Sequence, residues 1–120
     1  MSGDAYVACD GDGHIAAYAY ITAQPEPAYD SPDVHWHYNG PYMVIHRLAV
    51  SALSRGCGLG RMMLLHAEKV CCDHGIGCIK VDTNHDNAEM LHLLDSLGYA
   101  RRGNVSYGPR GERIAFEKTL

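Results

Sequence analysis

No stretch of about eighteen apolar residues runs anywhere in this chain, and no secretion-type leader opens it. A membrane-spanning helix is therefore not expected, and the reading is a cytoplasmic protein. Positive charge is also scarce. Ten Lys and Arg stand against fourteen Asp and Glu, for a net charge of −4. Neither nucleic acid nor a membrane surface is an expected partner of such a chain. There is no Cys-x-x-Cys pair among the five cysteines, Cys9, Cys57, Cys71, Cys72 and Cys78. Their odd number reads as free, mostly buried thiols rather than a disulfide frame. No histidine pair has the spacing of a recognised ligand motif, although His35 and His37 would share a face in extended backbone. No metal is expected.

What is present is ordinary for one folded domain spanning residues 1–120: 47% hydrophobic and 20% charged. Residues 5–9 and 14–22 read as two strands around the turn Asp10-Gly11-Asp12-Gly13. Residues 24–41 hold four prolines and read as a long loop. In it Trp36 and Tyr38, with Tyr42 just beyond, stand beside Glu26, Asp30 and Asp33. That grouping fits either a lid over a site or a loop packing its own aromatics. Residues 42–50 read as a long strand buried on both faces, interrupted by His46 and Arg47. Leu59, Met63, Ala67 and Val70 recur at helical spacing over 61–73, and Gly75 closes that helix. Residues 78–83 form the next strand. Asp86 with Glu89 resembles a capping box, followed by the helical face Met90, Leu93, Leu94 and Leu97. Two closing strands fall at 99–107 and 113–119.

Between the long strand and the first helix lies Arg55-Gly56-Cys57-Gly58-Leu59-Gly60. Glycines at alternate positions let backbone N–H groups converge, and a helix starting there adds unpaired donors and the positive end of its dipole. Such a place can hold a phosphate or pyrophosphate, or be no more than a tight turn. A dinucleotide site fits less well: Asp82 imitates the ribose-binding acid, but position 61 is Arg where a third glycine is needed.

The strand 45–50, Arg55, Gly58 and Gly60, then Asn87, then Leu97-Gly98-Tyr99 together resemble the GCN5-related N-acetyltransferase (GNAT) superfamily. Ile45-His46-Arg47, the run from Asp82 through Asn87 to Met90, and Phe116-Glu117-Lys118 look like one bacterial branch of it. The resemblance implies an α+β (α/β three-layer) fold: a mixed, mostly antiparallel sheet with one splayed parallel strand pair and helices packed on it. It implies an acetyl-coenzyme A-dependent N-acetyltransferase that moves an acetyl group directly to a primary amine. It also implies which residues hold that co-substrate. They are the backbone of Leu48, Ala49 and Val50 along the pantetheine arm, and the loop Arg55, Gly56, Cys57, Gly58, Leu59, Gly60 and Arg61 around the pyrophosphate. Asn87 would touch the arm.

For the proton-accepting base the resemblance offers Asp82, five positions before Asn87, with His46 on the central strand as the alternative. Where many relatives carry a tyrosine acid this chain has Leu94. The strand and two helices with which the family begins have no counterpart, so the domain reads as N-terminally short. That departure leaves open a non-catalytic acyl-coenzyme A-binding module or a subunit working with another chain. An unshielded sheet edge would favour a homodimer.

Overall fold

The computed structural model describes residues 3–54, 56 and 58–120. The strands are β1 (Asp4–Cys9), β2 (Ile15–Thr22), β3 (Met43–Val50), β4 (Cys78–Thr83), β5 (Ala100–Ser106) and β6 (Glu112–Thr119). The helices are α1 (Leu59–Asp73) and α2 (Ala88–Ser96), with short 3-10 turns at Pro27–Asp30, Ala52–Ser54 and Gly108–Arg110. One sheet holds all six strands in the order β1-β2-β3-β4-β6-β5. Every neighbouring pair is antiparallel except β3 and β4. That is the mixed sheet with one parallel pair expected from the sequence.

The alternation of side chains along each strand divides the core in two. One face carries Ile21, Met43, Ile45, Ile79, Val81 and Phe116, and onto it pack Met63, Leu64 and Ala67 of α1 with Leu94 of α2. Leu64, Ile79, Leu94 and Phe116 are fully buried. The other face carries Val44, Val105 and Ala115, and neither α1 nor α2 covers it. The segment after β2 does, through Tyr29 and Val34. Neither helix is long and apolar enough to cross a membrane.

That covering segment explains a large part of the fold's polar interior. Glu117 on β6 is 2% exposed, yet it is fully engaged. Its carboxylate accepts from Arg102 Nε at 2.6 Å, from the His37 backbone N–H at 2.9 Å and from that of Tyr38 at 3.3 Å. Trp36 Nε1 donates to the Tyr29 carbonyl at 2.8 Å. The Lys80 ammonium lies 4.3 Å from the Trp36 ring centre and 3.8 Å from that of Tyr42. Burial holds this ammonium below its ordinary pKa, and the two aromatic faces partly replace the lost water. Trp36 and Tyr42 therefore pack on the sheet. Of the two readings of this loop, its aromatics take the second.

Gly103 is where the covering segment comes closest. The His35 N–H reaches the Arg102 carbonyl and the Asn104 N–H reaches that of Asp33. A methyl group at Gly103 would sit 2.1 Å from the Asp33 carbonyl oxygen, and φ there is +121°. Gly103→Ala is expected to lower stability by at least about 2 kcal/mol. Gly11→Ala, at a position with open space, is expected to be near neutral. Equal midpoints for the two variants in thermal unfolding would mean that the segment does not seat on β5.

Three details differ from the sequence reading. Only the first half of β3, Met43 to Ile45, is buried; from His46 on, exposure alternates. The N-cap of α2 is Asn87, one residue later than the Asp86 capping box, and its Oδ1 accepts from the Met90 N–H at 3.2 Å. Of the four described cysteines, Cys71 and Cys78 are buried but Cys9 and Cys72 are exposed. Burial pushes the Cys71 thiol up to about 12 and the Cys78 thiol up to about 11, so neither is a ready nucleophile.

Candidate active site

The parallel pair is short. Met43, Val44 and Ile45 lie opposite Ile79, Lys80 and Val81, and there the ladder ends. β3 continues to Val50 without a β4 residue across from it. On its other edge β3 slips register against β2: Tyr20 pairs with His46, but Tyr18 pairs with Ala49. The extra residue is absorbed at Arg47, whose φ of +57° is the one left-handed value among the described non-glycine residues. A bulge bends a strand and increases its twist. Here the bend coincides with the point where β3 leaves β4. Holding a side-chain-bearing residue at that angle costs on the order of 1–3 kcal/mol, a cost met most often at functional sites.

The divergence opens a cleft of about 1000 Å³. Leu48 and Ala49 of β3, Val81 to Thr83 of β4, and Asn87 and Met90 at the start of α2 form part of its wall. Tyr18 and Tyr20 of β2, Glu26, and residues around the β5–β6 turn complete it.

Asp82 sits at the mouth of the divergence with its side chain 9% exposed. Its Oδ2 accepts from the Tyr107 hydroxyl at 2.6 Å and from the Tyr29 hydroxyl at 2.8 Å. Its Oδ1 is paired with Arg113 Nε, and a second nitrogen of Arg113 donates to the Asp82 carbonyl at 3.2 Å. Burial, and after it the charge of Asp82, raises the Tyr29 phenol well above its ordinary pKa. Burial, and then the bond to Asp82, does the same to Tyr107. Both phenols are therefore neutral donors near neutral pH. An ionised carboxylate is an acceptor only, and this one already holds three side-chain donors. It gathers three residues, Tyr29, Tyr107 and Arg113, from three other parts of the chain.

His46 also lines the cleft and is half-buried. Its ring lies 6.2 Å from that of Tyr20, and its nitrogens make no side-chain hydrogen bond among the described residues. A neutral imidazole offers one ring nitrogen as an acceptor, and at a cleft wall that nitrogen can face a bound molecule.

At the other end of the opening α1 begins. Gly58 is its N-cap in the left-handed conformation, φ +74°, with no side-chain cap. The first-turn N–H groups are thus left for another acceptor. Gly60 serves packing: a methyl group there would meet the Leu93 side chain at 3.1 Å and Val50 at 3.8 Å. Gly56 and Arg61 are exposed, and Leu59 is half-buried. Arg55 and Cys57 lie outside the described residues. Asn87 both caps α2 and borders the cleft. Leu94 is completely buried and cannot offer a proton-donating group.

Sequence reading thus finds Asp82, His46, Leu48, Ala49 and Asn87 on one cleft. It gives no role to Tyr29, Tyr107 or Arg113. A signal for Arg113 does exist. In the β4–β6 ladder Asp82 is opposite Ala115, so Arg113 falls on the same face two residues along, within reach of a long side chain. Nothing comparable marks Tyr29, which lies 53 residues from its partner. The sole cluster of metal-ligand types among the described residues is Asp10, Asp12 and His14 on the β1–β2 turn. There Asp10 Oδ1 accepts the backbone N–H groups of Asp12 and His14, which is turn chemistry.

Comparison with known proteins agrees with this architecture. The Acetyltransferase (GNAT) family model matches residues 2–99. A mycothiol acetyltransferase of Rhodococcus opacus is 33% identical over 57 residues, which is 48% of this chain but 19% of the relative. A GNAT-family acetyltransferase structure from Streptococcus agalactiae aligns with 97% of this chain and 65% of its own, at TM-score 0.77 and 32% identity. The chain therefore spans about a fifth of that curated relative and about two thirds of that solved one. The NatC complex bound to Gag peptide and CoA shares the fold at TM-score 0.75, with 20% identity over 97% of this chain and 70% of the other. With the family model covering most of the sequence and solved GNAT-family structures sharing its fold, this chain belongs to the GNAT acetyltransferase family.

Proposed function

We propose that this chain binds acetyl-coenzyme A between β3 and β4 and transfers its acetyl group directly to a primary amine. The observation that carries the reading is the interrupted parallel ladder. A strand edge from His46 to Val50 is left without a partner beside a cleft of about 1000 Å³, and an uncapped helix start follows it in the chain. An extended amide-bearing arm can pair with such an edge as another strand would. The α1 N-terminus suits a pyrophosphate. Leu48 to Val50, Gly56, Gly58 and the first turn of α1 would hold the co-substrate, which supplies an activated thioester.

In this reading His46 takes the proton from the acceptor ammonium. Its nitrogens have no protein partner among the described residues, whereas the Asp82 oxygens do. Asp82 is then a positioning residue: it fixes Tyr29, Tyr107 and Arg113 around the acceptor end. With Leu94 buried, the departing thiol takes its proton from solvent or from His46 itself.

The test is thermal unfolding with acetyl-coenzyme A, followed by thiol release with a panel of amines. At a hundred times its dissociation constant a ligand stabilises the fold by about 2.7 kcal/mol, a midpoint shift of several degrees. Gly58→Val, which places a β-branched residue at a left-handed helix cap, is expected to remove that shift while the variant still unfolds cooperatively. No shift with the unaltered, folded chain would defeat the reading. A shift with no thiol release from any amine would favour an acyl-coenzyme A-binding module instead.

A further inference from the structure

The cleft is more basic than the chain that forms it. The whole molecule carries −4, yet Arg47, Arg110 and Arg113 face the cleft against only Glu26 and Asp82. The arginines come from three places: the β3 bulge, the β5–β6 turn and the start of β6. Arg113 is committed to Asp82. Arg47 and Arg110 form no ion pair among the described residues. The exposed Arg110 guanidinium lies 5.6 Å from the Tyr107 ring centre, and Tyr107 is itself hydrogen-bonded to Asp82. Arg47 is presented by the one strained non-glycine residue described. Glu26 on the same cleft has no cationic partner among the described residues either.

Two guanidiniums and one carboxylate, without ion-pair partners among the described residues, line one cleft and form a complement to a zwitterion. We infer that the acceptor carries an anionic group close to its amine, as a free amino acid does, and that Arg47 and Arg110 read that anion. The inference rests on the acetyl-transfer reading above for the presence of an amine. Guanidinium groups match carboxylates by charge and by paired N–H donors. Glu26 offers the complementary charge to the ammonium before it loses its proton. A simple alkylamine would satisfy Glu26 and leave both arginines unmatched. A site built to bond a polar group discriminates strongly against the analogue that lacks it. The net charge of the whole chain is compatible with cationic acceptors; the cleft itself argues for acceptors bearing both signs.

The same guanidiniums would also suit phosphate oxygens of coenzyme A, so the experiment must separate the two anions. The probes are matched pairs: phenylalanine against phenethylamine, and leucine against isoamylamine. Thiol release from acetyl-coenzyme A is followed in the unaltered chain and in R47Q, R110Q and the double variant. Binding of each probe to the coenzyme A-saturated protein is measured in parallel by calorimetry, which needs no turnover. The amino acid is expected to exceed its decarboxylated amine at least about tenfold in kcat/KM and in affinity, the effect of one charge-assisted hydrogen bond. The double variant is expected to bring that ratio to about one while the dissociation constant for acetyl-coenzyme A stays the same. Equal use of the paired probes by the unaltered chain overturns the inference. So does a double variant that weakens acetyl-coenzyme A and leaves the probe ratio intact, since the anion read is then the cofactor's. Carboxylate-dependent binding without thiol release keeps this inference and defeats the transfer reading.

Discussion

Replacing His46 with Gln is expected to lower kcat on the order of 10²–10⁴-fold while acetyl-coenzyme A still shifts the unfolding midpoint. The reasoning is one of available lone pairs. A base must meet the proton it removes directly or through one water. His46 lines the cleft, and its nitrogens have no protein partner among the described residues. Asp82 is better buried but busier, with Tyr29, Tyr107 and Arg113 on its two oxygens. Asp82→Asn is expected to act differently. It removes the charge opposite Arg113 and turns an acceptor for two phenols into a poorer one. The variant should lose stability and bind acceptor more weakly. Its kcat should fall less than that of H46Q. A larger loss of kcat in D82N than in H46Q, with acetyl-coenzyme A still shifting the midpoint of both, would move the base to Asp82.

Glu117→Ala is expected to produce the largest loss of stability in the molecule, on the order of 3–5 kcal/mol, and a fall in Tm of roughly 10 °C or more. The carboxylate is 2% exposed and satisfies Arg102 together with two backbone N–H groups of the covering segment. Deleting it leaves a largely buried guanidinium and two orphaned donors. Burial alone would raise the Glu117 pKa. The bonds from Arg102, His37 and Tyr38 outweigh burial, and the net direction is downward. The stability it confers is therefore fully present above the ordinary glutamate range near ~4 and is lost as pH falls through the lower folded value. Glu117→Ala should accordingly show a flatter acid dependence of Tm than the unaltered chain. A loss below about 1 kcal/mol would show that the segment holds to the sheet by its apolar contacts alone.

Much of this architecture is written locally. Leu59, Met63, Ala67 and Val70 mark α1 because four apolar side chains at helical spacing can serve only one face. The strands β2, β4 and β6 announce themselves by short apolar runs between turn residues. The site is legible where it depends on local backbone. Asn87 and the glycines before α1 act through their own φ and ψ and through the N–H groups beside them. It is illegible where it depends on the long segment after β2. That segment has no periodicity, and which sheet face it covers is decided by Glu117, Lys80 and Gly103, all more than 35 residues further on. Tyr29 reaches Asp82, and Trp36 and Tyr42 turn away from the cleft, only because of that choice. A carboxylate inside a run such as Phe116-Glu117-Lys118 looks like an exposed position until its partners are known.

The brevity of the β3–β4 ladder has a mechanical side. Three residue rows join the β1-β2-β3 half of the sheet to the β4-β6-β5 half, while each half is internally laced along most of its strands. A sheet bends most easily across its thinnest seam, and here the seam runs into the cleft. α1 touches strands of both halves and so acts as a strap over that seam. Anything that bonded to both lips would complete the lacing. The two halves of the sheet would then be stitched along their whole common length, like a binding sewn to its last page.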